Sequence, residues 1–465
     1  MASDWIEKNL GNCFHLENGF AFKSREFVED GIPVIKIKNI KAGFFNEQNF
    51  SYVNENYLTE KLDKVARIND ILVSMSGNRH DGNPETWVGK AALFKKRTPY
   101  LINQRVAALR VIEDTEVDSR FVSYSLSSWA YQQWFISIAT SSGGQANLSP
   151  KQILDTSILL PPLVEQKAIA HILGSLDDKI ELNRQMNETL EAMTQALFKS
   201  WFVDFDPVID NALAAGNAIP EVFAKRAGLR KTIEKKDNSD IQALFPDEFE
   251  FTEEMGWIPK GWAVSNVGTE FNTVGGGTPS TKNSDFWENG DISWTTPKDL
   301  SGNQSKILLN TDRKITELGL NKISSGLLPI DTVLMSSRAP VGYLALAKVP
   351  VAINQGYIAL KCEKILTPEF AIQWADSAMD EIKQRAGGTT FAEISKTNFR
   401  GIPILVPSQK IIDAYSRDVK DLYNQITSRI ENINTLAKLR DTLLPKLMSG
   451  ELRIPDAETL VDETL

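Results

Sequence analysis

PPLVEQKAIAHILGSLDDKIELNRQMNETLEAMTQALFKSWFVDFD, residues 161–206, is the stretch whose reading decides the fold. The Pro-Pro pair bars helix before it and suits helix after it, because proline lacks an N–H and fixes φ. Ile169, Leu173, Leu176, Ile180, Leu190, Met193 and Leu197 then follow the three- and four-residue steps that line one face of a long amphipathic helix. Asn183 and Asn187 interrupt the stripe. In a helix pair such a break fixes register at some cost in stability.

A second version begins at Val406: VPSQKIIDAYSRDVKDLYNQITSRIENINTLAKLRDTLLPKLMSGEL. Val419, Leu422, Ile426, Ile430, Ile433, Ala437, Arg440 and Leu443 or Leu444 keep the same period, and Gln409-Lys410 answers Gln166-Lys167. Each helix follows an apolar run ending in proline, SILLPP or IPILVP. Spacers over 161–203 and 407–450 are therefore expected, paired antiparallel like a coiled coil. A helix of about 35 residues spans roughly 50 Å, so such a pair would carry globular domains at its ends.

Outward from the helices, the chain divides into two similar segments. Residues 1–160 hold short apolar runs bounded by Gly, Asn and Pro: IPVIKIKNI at 32–40, DILVSMSG at 70–77, VGKAALF at 88–94 and RVAALRVI at 105–112. These read as strands of a mixed or antiparallel sheet, followed by a helical stretch near 118–138 and a loop, SSGGQANLS, at 141–149. Residues 257–406 repeat the plan. GDISWTTPKDL answers GIPVIKIKNI, DTVLMSSRAPVG answers DILVSMSG, Asn354-Gln355 answers Asn103-Gln104, and AGGTTFAEIS answers SGGQANLS, at an offset of about 245–260 residues. This is an internal duplication of whole α/β (α+β) domains with pseudo-two-fold symmetry, able to present equivalent surfaces to two copies of one partner. Blocks of alternating charge at 204–256 read as a solvated linker that packs locally at most, and 451–465 as an acidic tail.

The chain has 465 residues, ample for sizeable cores, and a net charge of -9, which argues against wholesale nucleic-acid affinity without excluding local basic patches. Two distant cysteines, Cys13 and Cys362, suit a reducing compartment. With no long apolar run and no signal-peptide core at MASDWIEKNL, a cytoplasmic, membrane-free protein is expected.

Taken together, FKSWFVDFDPV, LFPDEFEFTEEMGWIPKGW, GGGTPSTKNSDFWENGDISWTTPKDL, LPPLVEQKAIA and LRDTLLPKLMSGEL resemble the specificity (S, HsdS) subunit of type I restriction–modification systems, over essentially the whole chain. The resemblance implies two target-recognition domains, each reading one half of a split double-stranded DNA sequence. It implies helices that bind two methyltransferase (M) subunits, which methylate adenine from S-adenosylmethionine. Restriction (R) subunits then join and cleave with ATP and Mg. The stripe residues Ile169, Leu173, Leu176, Ile180, Leu190, Leu197, Leu422, Ile426 and Ile433 are expected to be shared between the helix pair and the M subunits.

Reading DNA needs hydrogen-bonding side chains at base edges and cations at phosphates. In the first domain Ser74, Ser76, Asn78, Arg79 and His80 cluster where a strand runs into a Gly/Asn loop. Lys90, Lys95, Lys96 and Arg97 follow, Lys36, Lys38, Asn39 and Lys41 end the KIKNIK strand, and Gln104-Arg105 form a further polar pair. Each lysine alone can equally be a solvated surface charge. In the second domain Ser336, Ser337 and Arg338 hold the matching strand end, with Thr295, Thr296 and Lys298 after Trp294, and Asn354-Gln355 beyond. Arg338 could donate bidentately to guanine and Asn354 or Gln355 could read adenine. Equally, Asn-Gln could tighten a turn and Trp294 could be core. GGQAN at 143–147 and GGTTF at 387–391 are either DNA-ordered loops or plain connectors.

No G-x-x-x-x-G-K-[ST] loop occurs, nor the Asn/Asp-Pro-Pro-Tyr/Phe motif of an adenine methyltransferase. His15, His80 and His171 lack metal-ligand spacing, and Asp177-Asp178 diverge on a helix. A non-catalytic recognition subunit without cofactor of its own is the reading. A scaffold whose duplicated domains bind protein instead of DNA is the alternative, and a stand-alone enzyme is disfavoured by the missing motifs.

Overall fold

A computed structural model describes residues 4–80, 83–142, 144–233, 239–302, 305–388 and 392–464. The chain forms two compact units, residues 1–181 with 434–465, and residues 182–433. Each holds one sheet domain and a segment of both long helices. The central helix is Leu163–Phe202 and the C-terminal helix Gln409–Met448, each of 40 residues.

The duplication holds strand by strand. In the first unit β1 (Phe14–Asn18), β2 (Ile71–Ser74), β3 (Ala91–Leu93) and β4 (Val106–Val111) form an antiparallel sheet in the order β1-β4-β2-β3. In the second, β5 (Asn272–Gly275), β6 (Val333–Ser336), β7 (Leu344–Ala347) and β8 (Tyr357–Lys361) repeat it as β5-β8-β6-β7, with Ile307–Leu308 added in parallel beside β7. A smaller sheet flanks each: Ile32–Ile35 runs parallel to Leu101–Ile102, and Ile292–Thr295 parallel to Ala352–Ile353. An antiparallel pair leads into each long helix, Ile6–Asn9 with Ser157–Leu160 and Ala263–Asn266 with Pro403–Val406. Two glycines mark the tightest crossing in both copies. A Cβ at Gly19 would stand 2.0 Å from Asn103 O, and one at Gly276 would stand 1.9 Å from Ile353 O.

Two other regions depart from the sequence reading. Residues 204–256 are not a solvated linker. Phe205, Val208 and Phe245 enter the same core as Phe198, Phe370 and Tyr415, and Asp206 and Asp210 are buried against Arg226 and Arg230 on the helix Ala224–Arg230. Arg226 and Arg230 of the basic block are thus neutralised by two aspartates on the helix Asp206–Ala215. The acidic tail contains a helix, Ile454–Thr464, that buries Ala457 and Val461.

Candidate nucleic-acid interface

In the first unit β2 continues through Met75 into Ser76–Gly77, which pairs with Gln145–Asn147, itself paired with Thr140–Ser142. The expected 141–149 loop is therefore a hairpin in a three-stranded sheet, because its partner strand lies some seventy residues earlier in the chain, beyond any local signal; Gly143 lies outside the described residues. Two backbone bonds complete the frame: Met75 N–H donates to Arg105 O (2.9 Å) and Leu148 N–H to Met75 O (2.8 Å). Together Met75, Ser76, Gln104, Arg105, Asn147 and Leu148 line an open concavity of about 250 Å³. Ser76 Oγ bonds Asn147 Oδ1 at 2.7 Å and Arg105 Nη1 donates to Gln145 Oε1 at 2.8 Å. Gln104 and Arg105 are exposed.

The second unit repeats the frame. Ser337 N–H donates to Gly356 O (2.8 Å) and Ile394 N–H to Ser337 O (3.0 Å), while Arg338 bridges Glu393. Ser337 thus takes the place of Met75, Arg338 that of Ser76, Gln355 that of Gln104, Gly356 that of Arg105 and Glu393 that of Asn147. Arg338 Nη1 lies 3.7 Å from Glu393 Oε2, both partly exposed, and Thr278 Oγ1 bonds the exposed Gln355 at 2.6 Å. The backbone is shared, and the polar side chains differ at every position but the glutamine. Residues 389–391 of GGTTF lie outside the described residues.

Other candidates are held elsewhere. Ser74 and Ser336 are buried at equivalent strand ends, where Ser74 Oγ accepts from Lys90 N–H (2.9 Å) and Ser336 Oγ from Tyr343 N–H (2.7 Å), so both close a hairpin and neither faces a groove. Asn39 is also buried: its Oδ1 accepts from Lys36 N–H and its amide donates to Asn46 O and Gln48 O. The expected KIKNIK strand end is in fact a 3-10 turn, Ile37–Asn39, and Thr296 with Asp299 builds the same capped turn in the second unit. Thr295 is buried beside Tyr357, and Trp294 is core, its indole N–H on Gly277 O. Asn354 Oδ1 accepts from Gly356 N–H, so it tightens the turn.

The 90–97 patch dissolves as a cation cluster. Lys90 is 7% exposed, and burial, with repulsion from Lys41, pushes its ammonium down to about 8. Lys95 pairs with Asp178 (2.9 Å), Lys96 with Glu47 (2.5 Å) and Lys41 with Glu85. Lys36 donates to Ser51 Oγ and stands 4.0 Å over the Phe27 ring. Lys38, Arg97 and Lys298 remain exposed. Asn78 bonds Thr86, Arg79 bonds Ala139 O, and His80 bonds Gln133 and packs edge-on against Trp87.

Much of the helix stripe packs within the chain. Ile169, Leu173, Leu176 and Ile180 are buried in the first unit; in the second, Ile426 is buried and Leu190, Leu197, Leu422 and Ile433 are half-buried. Ile169, Leu173, Leu176, Ile180 and Ile426 are therefore taken up within the chain, while the half-buried Leu190, Leu197, Leu422 and Ile433 keep part of their surface open. The apolar positions left exposed on the central helix within the second unit are Leu182, Met186 and Met193. Asn187 is buried there.

Each domain is tied to the helices at one equivalent place. In the first unit Tyr124 Oη donates to Asp177 Oδ2 (2.5 Å), and Arg440 Nη1 to Asp177 Oδ1 (2.8 Å). In the second, Gln373 Nε2 reaches Tyr423 Oη (2.7 Å) and Thr194 Oγ1 (2.8 Å), beside Glu191, which pairs with Lys306 (2.9 Å). Gln166 fixes the helix start, bonding Glu116 O, Pro161 O and Asp118 N–H. No group of His, Cys, Asp and Glu among the described residues could hold a metal ion, and no helix among them is long and apolar enough to cross a membrane.

Two copies of one sheet frame, each ending in a polar strand-end cluster that opens into a concavity in the first and each bolted to a long helix pair, define a duplicated recognition protein. The family described as the type I restriction modification DNA specificity domain matches residues 2–192 and 259–435, one match per copy. The chain belongs to this specificity-subunit family. It is 31% identical to the type I restriction enzyme HindI specificity subunit of Haemophilus influenzae, over 69% of this chain and 74% of that one. It is 25% identical to the EcoBI specificity subunit of Escherichia coli, over 96% and 86%. The fold matches the S subunit from M. genitalium with a TM-score of 0.57, covering 96% of this chain and 97% of that one at 17% identity.

Proposed function

We propose that each sheet domain reads one half of a bipartite double-stranded DNA site through this strand-end frame. Gln104, Arg105 and Ser76 serve the first half, and Arg338 and Gln355 the second. The observation that carries this is the conserved backbone frame with exchanged polar side chains, which suits two readers of different bases. Arg105 and Arg338 have the fork geometry for guanine, and the two glutamines that for adenine. Lys38, Arg97 and Lys298 supply phosphate contacts.

In this reading the chain performs no chemistry and carries no cofactor. It docks two methyltransferase subunits, which bring S-adenosylmethionine to adenine N6, and with them restriction subunits that cleave with ATP and Mg, all in the cytoplasm. The exposed Leu182, Met186 and Met193 give the central helix an apolar face for such a subunit. Selection of bound duplexes from a random library by the assembled methyltransferase complex tests the reading. One split motif is expected, with Arg105→Ala relaxing positions in one half only and Arg338→Ala in the other. A single unsplit motif, or loss in both halves from either variant, contradicts it.

A further inference from the structure

Residues 249–259 form a two-stranded ribbon, Phe249–Thr252 with Gly256–Pro259. Its register sets Phe249 opposite Pro259 and Phe251 opposite Trp257. Alternation places these four on one face. The face starts in the interior of the second unit, where Phe249 lies against Phe223 (4.9 Å between ring centroids) and Phe205. It then runs outward into solvent. Phe251 and Trp257 pack on each other at 5.6 Å yet are 63% and 39% exposed, and Met255 in the turn is 38% exposed.

The surround is acidic. Asp247, Glu248, Glu250, Glu253 and Glu254 crowd the ribbon, and Lys260 is engaged by Glu248. Glu253 and Glu254 stand exposed at the turn. Such a surface repels a phosphate backbone, so it is no extension of the DNA face. Exposed aromatics ringed by charge of one sign are what a protein interface of opposite charge uses: rings for the buried centre, carboxylates at the rim.

We propose that this ribbon docks a cationic, apolar segment of a methyltransferase subunit, an inference that rests on the assembly read above. The full chain and the methyltransferase subunit, mixed and followed by calorimetry and sedimentation velocity, provide the test. Phe251→Ser/Trp257→Ser removes the rings, and Glu253→Lys/Glu254→Lys reverses the turn. Both changes are at exposed positions and should leave the melting curve unchanged. Each double variant is expected to bind the subunit about ten-fold more weakly or worse, and the charge reversal should abolish most of the salt dependence of binding. Wild-type affinity in both variants overturns the proposal while leaving the assembly standing. A wild-type chain that binds no methyltransferase subunit overturns the assembly and the proposal together. Self-association lost in the Phe251→Ser/Trp257→Ser variant, with methyltransferase binding intact, assigns the ribbon to a second copy and overturns the proposal as well.

Discussion

Lys90 and Arg105 show how burial sorts cations that look alike in sequence. Lys90 is enclosed behind β3, its ammonium desolvated and its pKa lowered to about 8, whereas Arg105 lies open in the concavity. A lysine whose folded pKa falls below its unfolded value is a liability while protonated. It weakens the fold below about pH 8, and stability recovers as pH rises toward the unfolded value near 10.4. Lys90→Met should therefore raise stability at pH 7 by about 1–3 kcal/mol, the gain shrinking toward pH 10 in denaturant titrations, with DNA affinity unchanged. Arg105→Ala should do the reverse. It leaves stability within about 0.5 kcal/mol and costs specific DNA binding about 1–3 kcal/mol, read by fluorescence anisotropy against a non-specific duplex. Lys95→Ala and Lys96→Ala should change little, since each already has a carboxylate partner. Those carboxylates, Asp178 and Glu47, are far away in sequence, so nothing local distinguished these lysines from phosphate ligands.

At the scale of elements, the helices and the repeat were legible because periodicity and duplication are sequence-local or self-referential. The stripe Ile169, Leu173, Leu176 and Ile180 is buried as its spacing required. What covers the stripe was not legible, since the helix Ser119–Ser127 and the sheet domain arrive from elsewhere in the chain. The stretch after Phe202 was misread for a related reason. Asp206 and Asp210 look solvated until Arg226 and Arg230, on another helix, fold back to pair with them. Burial alone would raise the Asp206 pKa, but hydrogen bonds from Arg226 and Ser200 outweigh it and hold the carboxyl below the ordinary range. A depressed carboxylate stabilises the fold above its unfolded pKa, near 3.9, and that stability is lost as pH falls through the folded value. Asp206→Asn should destabilise the second unit by about 1–3 kcal/mol, since it weakens the charge-assisted bonds to Arg226 and Ser200 while Arg226 keeps Asp204, and should flatten the acid limb of its unfolding profile. Tyr124→Phe should cost about 1 kcal/mol in thermal unfolding. It leaves Asp177 held by Arg440, while loosening the first domain from the central helix.

The whole molecule is one recognition frame used twice. The two copies share strand order, the glycine crossing at Gly19 and Gly276, the capped turns at Asn39 and Asp299, and the serine clasps at Ser74 and Ser336. They differ in the side chains carried at matching positions of that frame, Ser76 against Arg338, Arg105 against Gly356 and Asn147 against Glu393. Several polar residues that stood out in both repeats proved to belong to the common frame. The residues that differ within it are the better specificity candidates. Mapping N6-methyladenine across the DNA of cells that express this chain with its methyltransferase partner, before and after residues 1–160 are replaced by the first domain of another family member, tests this most directly. The account predicts one split motif whose first half alone changes on replacement. A motif that stays whole, or one that changes in both halves, would contradict it.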